Sequence, residues 1–376
     1  MNPLQKQIAE RIRSSGPLPF AAFMQMALYD SHHGYYSSGA QRTGWRGHFI
    51  TSPELDPSFG TLWERAFRAV WVACGSPDGF EVVEIGPGEG GFAQAVLEAA
   101  DDDFRDALTY RMVERTASVR ERQQERLGAA PNVVWTESVT ELPEIQFGCV
   151  FANEILDNLP VHLVEMRDGE IVELCVGEDD GELGFVARAP SNPELLAFLE
   201  RTGMGLSEGE RAEVTLAAES LISRVATRLG AGAAVFVDYG LDAPDIVRSG
   251  GTVVAYSSSG ADTEVLAQPG ERDITAHANW TSAEGAMRRS GMTTFGPLGQ
   301  RTVLLSLGAR DLDASFKDDY EIAIAEARGA DAVACISRRQ ALGALLDPGG
   351  LGGLQVLAAI TGIDAPSFLS EREETG

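Results

Sequence analysis

The sequence predicts an α/β protein built on a doubly wound parallel sheet, with an N-terminal helical head and a β-hairpin insertion. Three observations carry that class. From residue 80 onward, short apolar strands alternate with helical stretches, as a parallel sheet with crossover helices requires. A glycine-rich turn directly follows the first of those strands and opens a helix. Before residue 75 the apolar spacing is helical, broken by one long loop rich in Gly, Ser and Pro.

The elements follow in order. Residues 2–15 read as an amphipathic helix, with Leu4, Ile8 and Ile12 on one stripe. Gly16-Pro17-Leu18-Pro19 breaks it, and a second helix covers Phe20 to Tyr29. Residues 31–60 read mostly as loop, a length that usually serves function. Thr61 to Cys74 is a third helix. Strands are expected at 80–85, 110–114, 132–135 and 148–152, with helices through Ala100 and from Ser118 to Leu127 between them. Residues 161–188 read as hairpin material lying on the sheet. A helix from Ala212 to Leu229, an apolar strand at 233–238 and a last strand at Thr302–Leu307 complete the winding. The tail from residue 311 reads as mainly helical. The expected domains are therefore a head and lid loop (1–75), a core (76–310) with an insertion at about 161–211, and a C-terminal helical extension (311–376).

Composition narrows the function. The 376 residues carry 30 Lys+Arg against 56 Asp+Glu, a net charge of −26. So acidic a chain does not attract a phosphate backbone, which argues against nucleic-acid binding. The charge is uneven: residues 1–75 hold seven basic and five acidic residues, a net of +2. Cys74, Cys149, Cys175 and Cys335 show no C-x-x-C spacing and read as free thiols. Residues 1–13 lack an apolar h-region, and the apolar stretch 341–360 is interrupted by Asp347, Pro348 and glycines. The expectation is a cytoplasmic protein without a membrane span.

The sharpest motif is Glu84-Ile85-Gly86-Pro87-Gly88-Glu89-Gly90-Gly91. Gly86, Gly88 and Gly91 fit the dinucleotide pattern G-x-G-x-x-G. Glu84, Gly86, Gly88 and Gly90 fit the E-x-G-x-G-x-G of enzymes that use S-adenosylmethionine. Two local features favour the second cofactor. Glu84 and Glu89 make the turn acidic, which suits a cationic sulfonium better than a pyrophosphate. Pro87 removes an N–H that a phosphate cradle would use. Glu114, ending the second strand, would serve ribose hydroxyls in either reading. A purely structural glycine turn is the plain alternative.

After the fourth strand comes Asn153-Glu154-Ile155-Leu156-Asp157-Asn158-Leu159-Pro160. The carboxyl ends of the strands form the ligand crevice in such sheets. Glu154 and Asp157 are three apart, so a helical turn would set both carboxylates on one face. A carboxylate pair can grip a guanidinium through fork-like hydrogen bonds; an ordinary helix cap is the alternative.

With these pieces in place the chain resembles the MidA-like S-adenosylmethionine-dependent methyltransferases, a family with a mitochondrial protein-arginine methyltransferase member that assists complex I assembly. The resemblance runs from about residue 4 to about residue 360. It rests on Gly16–Phe20, Ala27-Leu28-Tyr29, His33-Gly34-Tyr35-Tyr36, Gly47–Glu54, Phe59-Gly60, Glu84–Gly90 and Ala152–His162. Later pieces are Val237-Asp238-Tyr239-Gly240, Gly251-Thr252, Ala255-Tyr256, Asp273–His277 and Gly299-Gln300. It implies a Rossmann-like class I methyltransferase core, with the head folded over S-adenosyl-L-methionine. Glu84, Gly86, Pro87, Gly88 and Gly90 would hold the methionine part and Glu114 the ribose. Ser138 and Val139 would lie by the adenine, and Thr51, Ser52, Pro53 and Glu54 would line the mouth. Asn153 and Glu154 would face the methyl group. The sequence departs from the family at Glu89, at Asn158, after Tyr256 and at Val303-Leu304, where an acceptor would be read.

The expected activity is methyl transfer to a protein arginine, with Glu154, Asp157 and Asn153 catalytic. Glu154, Asp157, His162, His33 and Tyr35 are the expected substrate neighbours. A small-molecule O- or N-methyltransferase is the close alternative. A cofactor-binding assembly factor that docks a partner, and a nicotinamide oxidoreductase, are alternatives from other classes. An oxygen acceptor would call for a histidine, and His33, His48, His162 and His277 are at hand. The loop holding His33 and His48 could close over the site. The acceptor is a protein or a small molecule, and the sequence leaves the oligomeric state open, a homodimer being one option. No metal-ligand spacing is present, and Gly205–Gly209 matches G-x-S-x-G without the preceding strand that a nucleophile elbow needs.

Overall fold

The computed structural model describes residues 2–37, 51–128, 130–257 and 260–369. Seven strands make the main sheet: β1 (Phe80–Ile85), β2 (Leu108–Val113), β3 (Val133–Thr136), β4 (Ile145–Asn153), β5 (Leu229–Asp238), β6 (Thr293–Gly299) and β7 (Gln355–Thr361). Their spatial order is β6-β7-β5-β4-β1-β2-β3. The five strands β3, β2, β1, β4 and β5 pair in parallel, while β7 runs antiparallel to both β5 and β6. The apolar runs in β1, β4 and β5 fit strands covered on both faces: Val82, Val83, Val150, Phe151, Ala234 and Val235 are all buried. Against them, helix Ser58–Ala73 brings Trp63 and Phe67, and helix Gly91–Ala99 brings Phe92. Trp63 and Phe92 lie 4.7 and 4.9 Å from the Phe151 ring.

Contacts divide the chain into two units. One comprises Thr43–Glu154, Arg224–Asp238 and Ser290–Gly376, and contains the main sheet. The other comprises Met1–Arg42, Ile155–Ser223 and Tyr239–Arg289. Within this other unit, strands Leu18–Pro19, Glu170–Asp179, His162–Arg167, Arg211–Val214 and Glu182–Arg188 form an antiparallel sheet. The stripe Leu4, Ile8 and Ile12 is buried in its core with Phe20, Phe23 and Val176.

Three expectations need correction. The boundaries at 75 and 310 and the insertion at 161–211 do not mark the observed units. Leu18 pairs with Val176 and Pro19 with Cys175, so head and hairpin share one sheet, and helix Ser58–Ala73 belongs with the main sheet instead. Thr302–Leu307 is not a strand but the body of helix Gln300–Ser306. A six-residue apolar run does not distinguish the two states. The last strand is β7, inside the tail that reads as helical; it is buried between β5 and β6, and pairing overrides local propensity there.

Candidate active site

β1 ends in the glycine turn. Gly86, Gly88 and Gly90 all have positive φ, at 69°, 52° and 79°, a conformation glycine adopts without steric cost. The Gly86 N–H donates to Val113 O at the end of β2 at 3.2 Å. A side chain at Gly88 would meet nothing within 4 Å, so that flank of the turn is open. Gly90 caps helix Gly91–Ala99 without any side-chain hydrogen bond, and the first turn holds no acid. The N–H groups of that helix start are therefore ready-made donors for a carboxylate. Such a site fits the amino-acid end of S-adenosyl-L-methionine.

The acidity of the turn does not act as the sequence reading supposes. Glu84 is 5% exposed and accepts a hydrogen bond from the Tyr110 hydroxyl at 2.8 Å. Burial pushes its carboxyl up to about 8, although the tyrosine bond pulls the other way. Glu89 accepts from two Arg122 nitrogens, Nε and Nη2, at 2.8 and 2.9 Å. One acid is thus held mostly protonated near pH 7 and the other is paired, so neither presents a free charge. Because the folded-state value of Glu84 lies above the ordinary carboxylate range, its stabilising contribution is full below about pH 4.5 and is lost as pH rises through about 8. The Glu84→Gln variant should lose less melting temperature than the wild type between pH 5 and 9. Equal losses in thermal scans would refute a protonated Glu84.

Gln123 braces the turn. Fully buried, it donates from Nε2 to Gly88 O at 2.7 Å and accepts from Trp135 Nε1 at 3.0 Å. Sequence reasoning misses it, because a lone glutamine in a polar helix carries no periodic signal. At the end of β2, Glu114 accepts from the Thr116 N–H at 2.7 Å; burial raises its carboxyl, with that bond opposing. Ser138 follows β3 and caps the short turn that starts at Val139, accepting from the Thr140 N–H. Ser52 is buried in helix Ser52–Leu55 and accepts from Gln300 Nε2 at 3.1 Å. Thr51 donates to Glu54 at 3.3 Å across the same short helix, with Pro53 inside it. Gln300, present in the sequence only as part of a family resemblance, is the residue that fixes this segment. The main-sheet unit thus contains every expected cofactor residue.

β4 ends at Asn153. Its Nδ2 donates to Glu154 Oε1 at 2.8 Å, and its Oδ1 is buried with no hydrogen-bond partner among the described residues. Glu154 has φ 52°, uncommon for a residue other than glycine. Its N–H donates to Val237 O on β5 at 2.8 Å. This corrects the helical-turn expectation: residues 154–159 form no helix, so nothing places Glu154 and Asp157 on one helical face.

Asp157 belongs to the other unit. It is 4% exposed and accepts from the Tyr239 hydroxyl at 2.6 Å. Burial pushes its carboxyl up to about 6, against the pull of that bond. The other three expected substrate neighbours, His162, Tyr35 and His33, lie in the same unit. His162 Nδ1 lies 2.7 Å from the fully buried Glu173, which also accepts from the Ser191 N–H; burial alone would raise the Glu173 carboxyl, but these bonds hold it below its usual range. Tyr35 is 1% exposed in the apolar core around Phe20. His33 is exposed, its N–H tied to Asp30. His48 and residues 38–50 of the expected lid loop lie outside the described residues. Among the described residues no group of His, Cys, Asp and Glu could hold a metal, no helix is long and apolar enough to cross a membrane, and the four cysteines are free.

Comparison with known proteins accords with this geometry. A family described as S-adenosyl-L-methionine-dependent methyltransferases matches residues 65–298. The mouse protein named "Protein arginine methyltransferase NDUFAF7, mitochondrial" is 28% identical over 340 residues, covering 82% of this chain and 74% of its own. The Drosophila melanogaster homolog is 27% identical over 326 residues, covering 79% and 73%. A COG1565 superfamily member from Burkholderia thailandensis, solved with bound S-adenosyl-homocysteine, superposes with a TM-score of 0.85. It is 31% identical, covering 97% of this chain and 94% of that one. The cytoplasmic expectation is overturned by relatives from mouse, fly, rat and human, all named as mitochondrial. A missing h-region speaks only to secretion, since mitochondrial addresses are amphipathic and Arg-rich.

Proposed function

The chain belongs to the S-adenosyl-L-methionine-dependent methyltransferase family whose model it matches over residues 65–298, and on that premise we propose that its acceptor is an arginine side chain of a protein. S-adenosyl-L-methionine supplies a methyl group on a sulfonium. Gly86, Gly88 and Gly90 with the open helix start receive the methionine part, Glu114 the ribose, and Ser138 and Val139 the adenine. Thr51 to Glu54, braced by Gln300, border the mouth.

The observation that carries the acceptor reading is the Asn153–Glu154 pair at the end of the central strand β4. The left-handed backbone turns the Glu154 chain away from the strand direction, and Asn153 steadies one of its oxygens. A carboxylate there can accept from a guanidinium and draw its charge away from the attacking nitrogen. Methyl transfer is an in-line displacement, so holding the acceptor in line contributes to the rate. The relatives named as protein arginine methyltransferases support the same acceptor. Incubation with labelled S-adenosyl-L-methionine in native extract, followed by mass spectrometry, should find the label on methylarginine. Label confined to a small molecule or to hydroxyl oxygen would refute the proposal.

A further inference from the structure

The antiparallel sheet leaves one edge open. Strand Glu182–Arg188 pairs with strand Glu170–Asp179 on one side and with no other strand among the described residues. The hairpin between the two fixes which groups face outward. Its two-residue loop, Asp180-Gly181, has φ of 47° and 88°. Positive φ at both positions is the type I′ turn, which closes on a hydrogen-bonded pair. That pair is Asp179–Glu182, and the register then runs unbroken to Glu173–Arg188. Hydrogen-bonded and non-bonded pairs alternate along such a ladder. Glu182, Gly184, Val186 and Arg188 therefore turn their backbone groups toward the neighbouring strand. Leu183, Phe185 and Ala187 turn theirs outward.

Native sheets blunt an open edge with lysine, proline or a bulge. Leu183-Gly184-Phe185-Val186-Ala187 carries no charge and no proline, and no register shift interrupts it. Leu183 packs on the core around Phe20. The Phe185 ring lies 5.8 Å from the Phe20 ring, yet Phe185 is 42% exposed. Charge stands only at the two ends of the strand. Glu182 and Arg188 are both exposed, and neither has an ion-pair partner among the described residues. The Arg188 Nη1 instead donates to Ala187 O at 3.1 Å, one of the outward carbonyls.

We infer that this edge pairs with the same edge of a second copy of the chain, across a two-fold axis at Phe185. The inference is independent of the acceptor reading. A two-fold antiparallel pairing is isologous, so each contact occurs twice. Centred on Phe185, it sets Glu182 opposite the partner's Arg188 and Leu183 opposite the partner's Ala187. The outward N–H groups then meet outward carbonyls, and Arg188 leaves Ala187 O for a carboxylate. Directly opposite residues share a face of the sheet. Glu182 and the partner's Arg188 fall at a non-bonded pair, where side chains come closest. The strand is thus complementary in charge to its own reversed copy, and the exposed Phe185 is covered by its own counterpart.

Sedimentation velocity over a concentration series should show a reversible dimer with a dissociation constant of about 10–100 µM, since one strand edge is a small interface. Amide hydrogen exchange locates it: Leu183, Phe185 and Ala187 should exchange more slowly as concentration rises, while Gly184 and Val186 stay slow throughout. Ala187→Pro removes an outward N–H and leaves the inner ladder intact, so dimerisation should weaken at least about tenfold. Glu182→Arg and Arg188→Glu should each weaken it by about as much, because like charges then stand opposite. An equimolar mixture of those two variants should recover dimerisation as a mixed dimer. That recovery decides the matter even if thermal scans show the proline variant to be unfolded. A wild type still monomeric at about 500 µM, a dimer that the variants leave intact, or no recovery in the mixture overturns the inference. So does an arginine-rich peptide that binds the wild-type edge and not Ala187→Pro while the chain stays monomeric.

Discussion

Glu154→Gln is expected to slow methyl transfer by about 10²-fold or more, with S-adenosyl-L-methionine affinity essentially unchanged. The substitution keeps the shape of the side chain and can still accept from Asn153 Nδ2, which lies 2.8 Å from the wild-type oxygen. What it removes is the negative charge. A hydrogen bond between charged groups is roughly twice as strong as a neutral one, and the lost attraction bears on the guanidinium as its charge redistributes. The cofactor residues Gly86 to Gly90 and Glu114 are untouched, so calorimetric titration should give the wild-type affinity. Single-turnover formation of S-adenosylhomocysteine is the deciding measurement. A rate within about threefold of wild type would remove Glu154 from the chemistry, because such a change is under 1 kcal/mol of barrier. Retained biological function in a catalytically dead variant would favour partner docking over catalysis.

The largest effect on stability is expected from Gly232→Ala. Gly232 sits inside β5, paired with Gly148 on β4 and Thr361 on β7, with φ 140°. A Cβ built there would lie 1.8 Å from Gly148 O and 2.9 Å from Gly148 C. Those atoms are backbone in the middle of a sheet, so no side-chain rotation relieves the overlap. The pairing of β4 with β5 must open instead, and the expected loss exceeds about 4 kcal/mol, the range reserved for severe packing faults. Urea unfolding of the two proteins measures it. A midpoint shift worth less than about 1 kcal/mol would mean that the strands separate easily.

Much of the main sheet is legible in the sequence because its strands are short apolar runs bounded by turns. The glycine turn is legible because positive φ at three alternate positions, 86, 88 and 90, leaves few residues to choose from. Glu114 and Asn153 are legible because they end strands. The missed features depend on partners far away in the chain. Gln123 matters through Trp135 and Gly88, and Gln300 through Ser52; neither pairing leaves a local period. Residues 355–361 look like part of a helical tail until β5 and β6 are there to flank them. Glu84 and Glu89 are read as free charges, since only the fold reveals Tyr110 beneath one and Arg122 across the other. Glu154 and Asp157 look like a helical pair because spacing three is also compatible with a chain that turns sharply, as it does at Glu154.

Each unit is assembled from three separate segments, with partners spaced along nearly the whole chain. During synthesis the apolar stripe of Leu4, Ile8, Phe20 and Phe23 leaves the ribosome long before residues 239–289 that complete its core. At bacterial-to-eukaryotic translation speeds that delay is roughly 10–50 s. The nascent head must therefore wait with its greasy side unsheltered, which makes this chain a natural client for chaperones. It also means that slower, cooler expression should improve recovery. Nor can one nick between residues 43 and 289 separate the two units, because each has segments on both sides of any such cut.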